Sequence, residues 1–290
     1  MTVRDALKMA SSRIDRHDAD ILLAFVLKRD RAWLVAHDDI HLASLMLRRF
    51  EALVRRREKH EPVAHLIRER EFHARPFFVS KYVLIPRPET ELLVERALAR
   101  VHDRTAVWDV GTGSGAIAVT LASERPGLRI LATDVSSRAL TTARQNAKRH
   151  HAQNRITFLK SNLLQPSAYR WLKRQARSHD RLIIAANLPY LPSSDRKKLA
   201  PDVTKYEPGL ALYSGTDGLT LIRRFLRQLS RHLPEWNYRE TTILVEFDPP
   251  QARELKQLAK KLFPDTALSI HIHRDLAGRL RLLEISIRAA

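Results

Sequence analysis

The sequence contains no cysteine, has eight glycines, and has no apolar stretch approaching the roughly 20 residues of a membrane-spanning helix. The absence of cysteine excludes disulfide bonds and thiolates as metal ligands or nucleophiles. Charged residues lie near the N-terminus, where a signal peptide would need an apolar segment. We therefore expect a cytoplasmic protein with no membrane association.

Basic residues outnumber acidic ones by 51 to 32, which gives a net charge of +19 and an isoelectric point near 10.7. This excess favours contact with nucleic acid or the ribosome through a basic surface, although surface charge also serves solubility alone. The 13 histidines have no accompanying carboxylate pattern, so no metal site is expected. No surplus apolar stripe remains for a partner subunit, which indicates a monomer.

The 290 residues exceed the usual size of one domain, and the pattern changes twice along them. Residues 1–70 have helical spacing, with apolar stripes that include Phe25 and Leu45, and predict a small helical domain. Residues 71–85 are rich in aromatic and β-branched residues and predict a β-hairpin linker. The remainder, residues 86–290, alternates between strand and helix patterns.

The alternation after residue 86 predicts a mostly parallel, doubly wound sheet of the Rossmann-like α/β class. A first helix ends near Arg100, with Thr90 as a plausible N-cap. The clearest predicted strands are Ala106 to Val110, Leu128 to Thr133, Ile156 to Lys160, Leu182 to Ala186 and Thr242 to Phe247. Ligands of such sheets bind at the carboxyl ends of the strands, so residues that follow these strands are the candidate site.

Three of the eight glycines lie in the sequence Asp-Val-Gly-Thr-Gly-Ser-Gly, which begins at Asp109 and links the first strand to a helix. Such a turn lets the backbone approach a ligand closely. Asp109 would repel a pyrophosphate but could orient an amino group. Asp134, at the end of the next strand, could accept hydrogen bonds from both ribose hydroxyls. Together they favour S-adenosylmethionine over a nicotinamide dinucleotide, while a helix cap remains the alternative for Asp134.

The tetrapeptide Asn-Leu-Pro-Tyr, residues 187–190, follows a buried strand directly. The side-chain carbonyl of Asn187 and the main-chain carbonyl of Leu188 offer two acceptors for the two hydrogens of a planar NH2 group. Pro189 would stiffen the loop and Tyr190 would pack on the flat face of the substrate. Taken alone, the segment could also be a turn that ends the strand.

Longer segments resemble the peptide chain release factor N(5)-glutamine methyltransferases, the HemK/PrmC group, across nearly the whole chain. The segments that carry the resemblance are "EPVAHL" from Glu61, "EFHARPFFVS" from Glu71, "VLIPRPETELLVERAL" from Val83, "DVGTGSGAIAVTLA" from Asp109, "YEPGLALYSGTDGL" from Tyr206 and "DLAGRLRLLEI" from Asp275. The resemblance implies an N-terminal substrate-recognition domain, a hairpin and a methyltransferase domain. It also implies methylation of the side-chain amide of the Gln in a Gly-Gly-Gln loop of a release factor.

The candidate site residues follow from the motifs and the resemblance together. The expected cofactor-binding residues are Asp109, Gly111, Thr112, Gly113, Gly115, Asp134, Asn162 and Asn187. The expected substrate-binding residues are Arg87, Glu89, Asn187, Leu188, Pro189 and Tyr190, of which Asn187, Pro189 and Tyr190 are the catalytic candidates.

Three positions differ from the usual pattern of that family. Leu188 stands where the family usually has proline, and Asn-Leu-Pro-Tyr is also the form seen in rRNA adenine N6-dimethyltransferases. Asn162 replaces an acid that commonly contacts the adenine amino group, and Arg68 replaces a glycine. An rRNA or DNA adenine N6-methyltransferase and a ribosomal-protein glutamine methyltransferase are therefore the alternative functions.

Overall fold

The computed structural model describes residues 1–264 and 267–288. The helices are α1 (Val3–Ser11), α2 (Arg16–Leu27), α3 (Arg31–Ala36), α4 (Ser44–Glu58), α5 (Val63–Ile67), α6 (Glu91–Arg100), α7 (Ala116–Glu124), α8 (Ser137–Arg149), α9 (Pro166–Gln175), α10 (Pro201–Tyr206), α11 (Thr220–His232) and α12 (Ala252–Leu262). The strands are β1 (Glu69–Phe72), β2 (Arg75–Phe78), β3 (Thr105–Val110), β4 (Arg129–Asp134), β5 (Ile156–Lys160), β6 (Arg181–Ala186), β7 (Glu240–Glu246), β8 (Ala267–Arg274) and β9 (Leu280–Arg288).

The chain divides into two compact units, of which the first comprises Met1–Glu69 with Leu199–Glu207. Its helices α1, α2 and α4 bury a common apolar core around Leu22, Phe50 and Val54. The apolar stripes continue past this core: Phe25 is 49% exposed and Leu45 is 47% exposed. Both residues belong to the apolar stripes of the sequence, yet about half of each lies at the surface.

The second unit comprises Arg70–Lys198 with Pro208–Ala290 and contains a seven-stranded sheet. The strand order is β5-β4-β3-β6-β7-β9-β8, in which β3 to β7 are parallel and β9 runs antiparallel to both of its neighbours, β7 and β8. Strands β1 and β2 form a separate two-stranded hairpin over residues 69–78. The predicted Rossmann-like α/β class is thus confirmed. Of the predicted domain 86–290, residues 265–266 and 289–290 lie outside the described residues.

Alternate side chains of the strands build two cores, one on each face of the sheet. Trp108, Ile184 and Val245 face a core shared with α9, α11 and α12. Val107 and Ile183 face the opposite core, to which α6 and α7 contribute apolar side chains. Helices cover both faces, which explains why the parallel strands read as continuous apolar runs. In the two described ranges, no helix combines the length and hydropathy needed to cross a membrane.

Candidate functional site

Adjacent parallel strands bring distant segments together at one edge of the sheet. In the ladder, Val110 pairs with Thr133 on one side and with Ala186 on the other. The glycine loop after β3 therefore lies between Asp134 and Asn187, although these two residues are far apart in sequence. This edge contains a cavity of about 410 Å³, within the range of small-molecule sites.

Most of the predicted site residues line this cavity. Those that line it are Arg87, Gly111, Thr112, Gly113, Asp134, Asn162, Asn187, Leu188 and Pro189. The others are Asp109, Gly115, Glu89 and Tyr190, which are not among the described residues of the cavity wall. The binding roles of both groups stay predictions.

The glycine loop has a left-handed backbone, with φ of +73° at Gly111 and +82° at Gly115. A Cβ on Gly111 would lie 3.3 Å from Leu188 Cδ2, so the loop packs directly against the tetrapeptide. A Cβ on Gly115 would lie 3.1 Å from the Cα of Ala143 in α8. Gly115 thus allows α7 to pack against α8, which gives a structural reason for the third glycine.

Asp134 is the residue best suited to hold a ribose. Its two oxygens accept hydrogen bonds from the N–H groups of Gly113, at 2.9 Å, and Ser136, at 2.8 Å. An ionised carboxylate has about four acceptor positions, so roughly one remains on each oxygen for a hydroxyl group. Burial raises the pKa of Asp134, and these backbone hydrogen bonds oppose that shift. The two remaining acceptor positions therefore suit the two hydroxyls of an adenosine ribose. The N-cap of α8 is Ser136 and not Asp134.

Asp109 lies beneath the glycine loop. Its Oδ2 accepts a hydrogen bond from the Thr112 hydroxyl at 2.5 Å and from the N–H of Ala118 at 3.2 Å. Within the described residues its Oδ1 is buried without a partner, and burial raises its pKa to about 7. The carboxylate fixes the loop from beneath, and because Asp109 is fully buried and absent from the cavity wall, its contact with an amino group stays a prediction.

The side chain of Asn187 is held by Thr90, which the sequence suggested as a helix N-cap. Its Nδ2 donates a hydrogen bond to the Thr90 hydroxyl at 2.9 Å. Thr90 occupies the N-cap position of α6, but its side chain makes no capping hydrogen bond because a 3₁₀ turn, Pro88–Thr90, precedes the helix. The expected cap was therefore wrong in its side-chain contact. With Nδ2 engaged, the carbonyl oxygen of Asn187 is the acceptor left for a ligand.

The ring of Tyr190 is packed against the core, and its hydroxyl donates to Glu246 Oε1 at 3.1 Å. Burial raises the pKa of Tyr190, so the hydroxyl stays protonated. Its carbonyl accepts a 2.8 Å hydrogen bond from Gln251 Nε2. A Cβ on Gly218 would lie 2.0 Å from that carbonyl oxygen, so the backbone of residue 218 closes over the end of the tetrapeptide.

Thr90, Glu246 and Gln251 were not identified from the sequence as site residues. Glu246 carried a usable signal, because it is a carboxylate at the carboxyl end of an apolar strand, as Asp134 is. Thr90 was interpreted as a helix N-cap and therefore not as a site residue. Gln251 was not considered because it lies in a helical sequence pattern.

Comparison with known proteins agrees with this geometry. Two family models match the chain. The model of the PrmC N-terminal domain matches residues 2–67, and the model of the methyltransferase small domain matches residues 88–171. The release factor glutamine methyltransferase of Bacillus cereus is 31% identical over 98% of both chains. That of Coxiella burnetii is 35% identical over 98% of both, and that of Xylella fastidiosa is 42% identical over 78% of this chain and 79% of that protein.

Among solved structures, the catalytic domain of hMettl16 in complex with MAT2A 3′UTR hairpin 6 has a TM-score of 0.55 at 15% identity. The similarity covers 74% of this chain and 75% of that one, and it supports the fold. The fold and the matched methyltransferase domain define the chain as an S-adenosylmethionine-dependent methyltransferase. Identity with the relatives extends over both units, and the chain belongs to the release factor glutamine methyltransferase family.

Proposed function

We propose that the enzyme methylates the side-chain amide nitrogen of the Gln in the Gly-Gly-Gln motif of a peptide chain release factor. The observation that carries this proposal is the orientation of Asn187, whose NH2 group is engaged by Thr90 while its carbonyl oxygen accepts no hydrogen bond from the residues that the structure describes. The family relatives are named for the same reaction. A planar primary amide is the substrate group that such an acceptor suits.

Two acceptors increase the reactivity of an otherwise weak nucleophile. The amide lone pair is delocalised into the carbonyl, and hydrogen bonds from the NH2 group to Asn187 Oδ1 and the Leu188 carbonyl raise the electron density on nitrogen. They also fix the nitrogen in line with the methyl carbon. S-adenosylmethionine supplies an electrophilic methyl group on sulfonium. A nitrogen–carbon bond forms as the carbon–sulfur bond breaks, and the surplus proton leaves from the more acidic product.

Leu188 fits this chemistry through its main chain. Its side chain is 5% exposed and packs in the core against the glycine loop, so the substitution for proline is absorbed inside the protein. The carbonyl used by the substrate is present with either residue. Asn162 lines the cavity, where its side-chain oxygen can accept a hydrogen bond from the adenine amino group.

The test is mass spectrometry of a purified release factor after incubation with enzyme and S-adenosylmethionine. One added methyl group on the Gln of the Gly-Gly-Gln loop is expected. A release factor with Ala in place of that Gln is the matched control and should stay unmodified. Parallel incubations contain rRNA and a ribosomal protein; methylation of either one, without the release factor, would contradict the proposal.

We further propose that residues 1–70 recognise the protein substrate. Within the described residues, the first unit contributes five of the nine exposed large apolar side chains: Met1, Phe25, Val35, Ile40 and Leu45. Val35 is 79% exposed, so a partner that covers it would remove apolar surface from water. Replacement of Val35 by Ser should raise KM for the release factor, leave the Kd for the cofactor unchanged, and have no effect on methylation of a short Gly-Gly-Gln peptide.

We also propose that one face of the second unit contacts RNA phosphates. Helices α9, α11 and α12 pack side by side on the same core, and α9 and α11 contain no acidic residue. We call their exposed cationic residues the basic face: Arg170, Lys173, Arg174, Arg224, Arg227, Arg231, Arg253, Lys256, Lys260 and Lys261. Clustered cations on a surface bind the RNA backbone without sequence preference.

The test compares two double variants with the same change in charge. Arg227→Glu with Arg231→Glu alters the basic face, whereas Arg144→Glu with Lys148→Glu alters exposed positions of α8 on the opposite side of the sheet. The first pair should weaken binding of an rRNA fragment at least tenfold more than the second. It should also reduce the slope of log K against log salt concentration by about 1.5 to 2. Equal effects would refute a localised face. We also propose that the enzyme acts in the cytoplasm, where a release factor would be its substrate, and that it acts as a monomer.

A further inference from the structure

A regular series of contacts joins one face of α8 to the chain from β2 onward. Every fourth side chain of the helix, up to its C-cap His150, contacts every second residue of the facing segment, residues 76–82. The contacts are His150 Nε2 with the Pro76 carbonyl at 2.9 Å, Asn146 with the main-chain N–H and carbonyl of Phe78 at 2.8 and 2.9 Å, the Thr142 hydroxyl with that of Ser80 at 3.5 Å, and the Arg138 guanidinium 4.6 Å from the centre of the Tyr82 ring. Four helical residues rise about 6 Å and two strand residues span about 6.6 Å, so the two antiparallel segments stay in register.

The last contact of this series, between Tyr82 and Arg138, differs from the others in its surroundings. Tyr82 is 37% exposed and Arg138 is also exposed, whereas Asn146 is fully buried. Tyr82 and Arg138 line the cavity, and among the described residues the other members of the series do not. A cation–π contact at an exposed site is weak, so this pair can separate while the rest of the series holds.

The pair lies on the side of the cavity where the ribose is expected. Arg138 is in the first turn of α8, shortly after Asp134. Three of its neighbours also line the cavity: Val135, Ser136 and Ala139. Asn187, the proposed substrate acceptor, follows β6, which lies on the opposite side of β3 from β4. Tyr82 is therefore on the side of the cavity expected to hold the cofactor and not the substrate amide.

The segment after Tyr82 continues along the cavity to Asn187. Four of its residues line the cavity: Val83, Leu84, Pro86 and Arg87. At its far end the Thr90 hydroxyl accepts a hydrogen bond from Asn187 Nδ2 at 2.9 Å. This part of the cavity wall is therefore held at two points, at Tyr82 by α8 and at Thr90 by the tetrapeptide. Loss of the first contact would free the end on the ribose side.

We propose that Tyr82 is a further cofactor-binding residue and that Arg138 is the positioning residue that holds its ring. The aromatic face covers bound S-adenosylmethionine on the side of α8, which removes apolar surface from water and slows release of the cofactor. The two residues fit this role because they line the cavity from two separate segments and already contact each other. The proposal takes Asp134 as the ribose ligand, and it does not depend on which substrate the enzyme methylates.

The test measures binding of S-adenosylhomocysteine, with the Kd from isothermal titration calorimetry and the dissociation rate constant from tritiated ligand. Tyr82→Ala should raise the Kd about five- to tenfold, mainly through faster dissociation, because the ring is lost. Tyr82→Phe retains the ring and should bind within about twofold of wild type. Arg138→Ala should raise the Kd about two- to fourfold, because the ring stays but only Lys81, whose Nζ lies 5.4 Å from its centre, still holds it.

A matched control is Arg144→Ala. Arg144 is another exposed arginine of α8, and its guanidinium lies 5.5 Å from the centre of the Phe158 ring. Neither of these two residues is among the described residues of the cavity wall, so loss of this cation–π contact should leave the Kd unchanged. Because Arg138 acts through Tyr82, adding Arg138→Ala to Tyr82→Ala should change the Kd by no more than about 1.5-fold.

The melting temperature of each variant verifies that it is folded. A folded Tyr82→Ala protein with a Kd within twofold of wild type would overturn the binding role of Tyr82. Equal losses of affinity in Arg138→Ala and Arg144→Ala, or multiplicative losses in the double variant, would overturn the positioning role of Arg138. These measurements concern the cofactor alone, so a failure to methylate a release factor would contradict the proposed function and leave this proposal standing.

Discussion

Replacement of Asp134 by Asn tests the cofactor site most directly, because it changes charge and hydrogen bonding with little change in volume. In the wild-type enzyme, each carboxylate oxygen accepts one backbone N–H, from Gly113 or Ser136. In Asp134→Asn, one oxygen becomes an NH2 group, which faces a backbone N–H in either orientation of the amide. One backbone hydrogen bond and one ribose acceptor are therefore lost together.

The expected loss of affinity can be estimated from the hydrogen bonds affected. Hydrogen bonds to charged groups contribute about 1.5 to 3 kcal/mol each. Loss of one ribose bond and weakening of the other corresponds to about 3 kcal/mol. At roughly 1.4 kcal/mol for each factor of ten, the Kd should rise about 100-fold.

The assay is isothermal titration calorimetry with S-adenosylhomocysteine, and the melting temperature verifies that the variant is folded. Asp180→Asn serves as the control, because Asp180 lies on the surface in an ion pair with Arg104 and outside the cavity wall. It should bind with the wild-type Kd. A folded Asp134→Asn protein with a Kd within threefold of wild type would refute the assignment of Asp134 to the ribose.

Three further predictions concern the substrate acceptor Asn187, the backbone of Arg68 and the buried carboxyl groups. Asn187→Ala should lower kcat by about 10² to 10³ and spare the Kd for S-adenosylhomocysteine, as measured by methyl transfer and calorimetry, since its acceptor acts on the substrate. Arg68→Gly should raise the melting temperature, because Arg68 ends α5 at φ +57°, a conformation in which glycine avoids Cβ strain; an unchanged or lower value would contradict this. Burial raises the pKa of Asp109 and Glu246 to about 7, whereas the unfolded chain ionises them near 3.8 and 4.5. Their contribution to stability is therefore complete at low pH and is lost between about pH 4 and 7. In urea unfolding between pH 5 and 7, Glu246→Gln should show a smaller loss of stability than wild type, and equal slopes would contradict the assignment.

The sequence alone determined the fold class and the candidate site residues that directly follow the strands. Periodicity of two or 3.6 residues is a local property, so a strand such as Ile156–Lys160 could be predicted with the bounds that the structure shows. The glycine loop, Asp134 and Asn187 were identified because each follows an apolar strand directly. Family resemblance, carried by contiguous segments, supplied the reaction.

Only the tertiary structure decided what surrounds Asn187. Thr90 lies 97 residues from Asn187 in sequence, and Tyr190 lies 56 residues from Glu246. These contacts depend on the order of β3, β6 and β7 in the sheet and on a 3₁₀ turn that withdraws the Thr90 hydroxyl from its capping role. A local sequence pattern does not show that the Thr90 hydroxyl accepts a hydrogen bond from Asn187, because the two residues are distant in sequence. The orientation of the Asn187 amide is therefore a property of the folded protein.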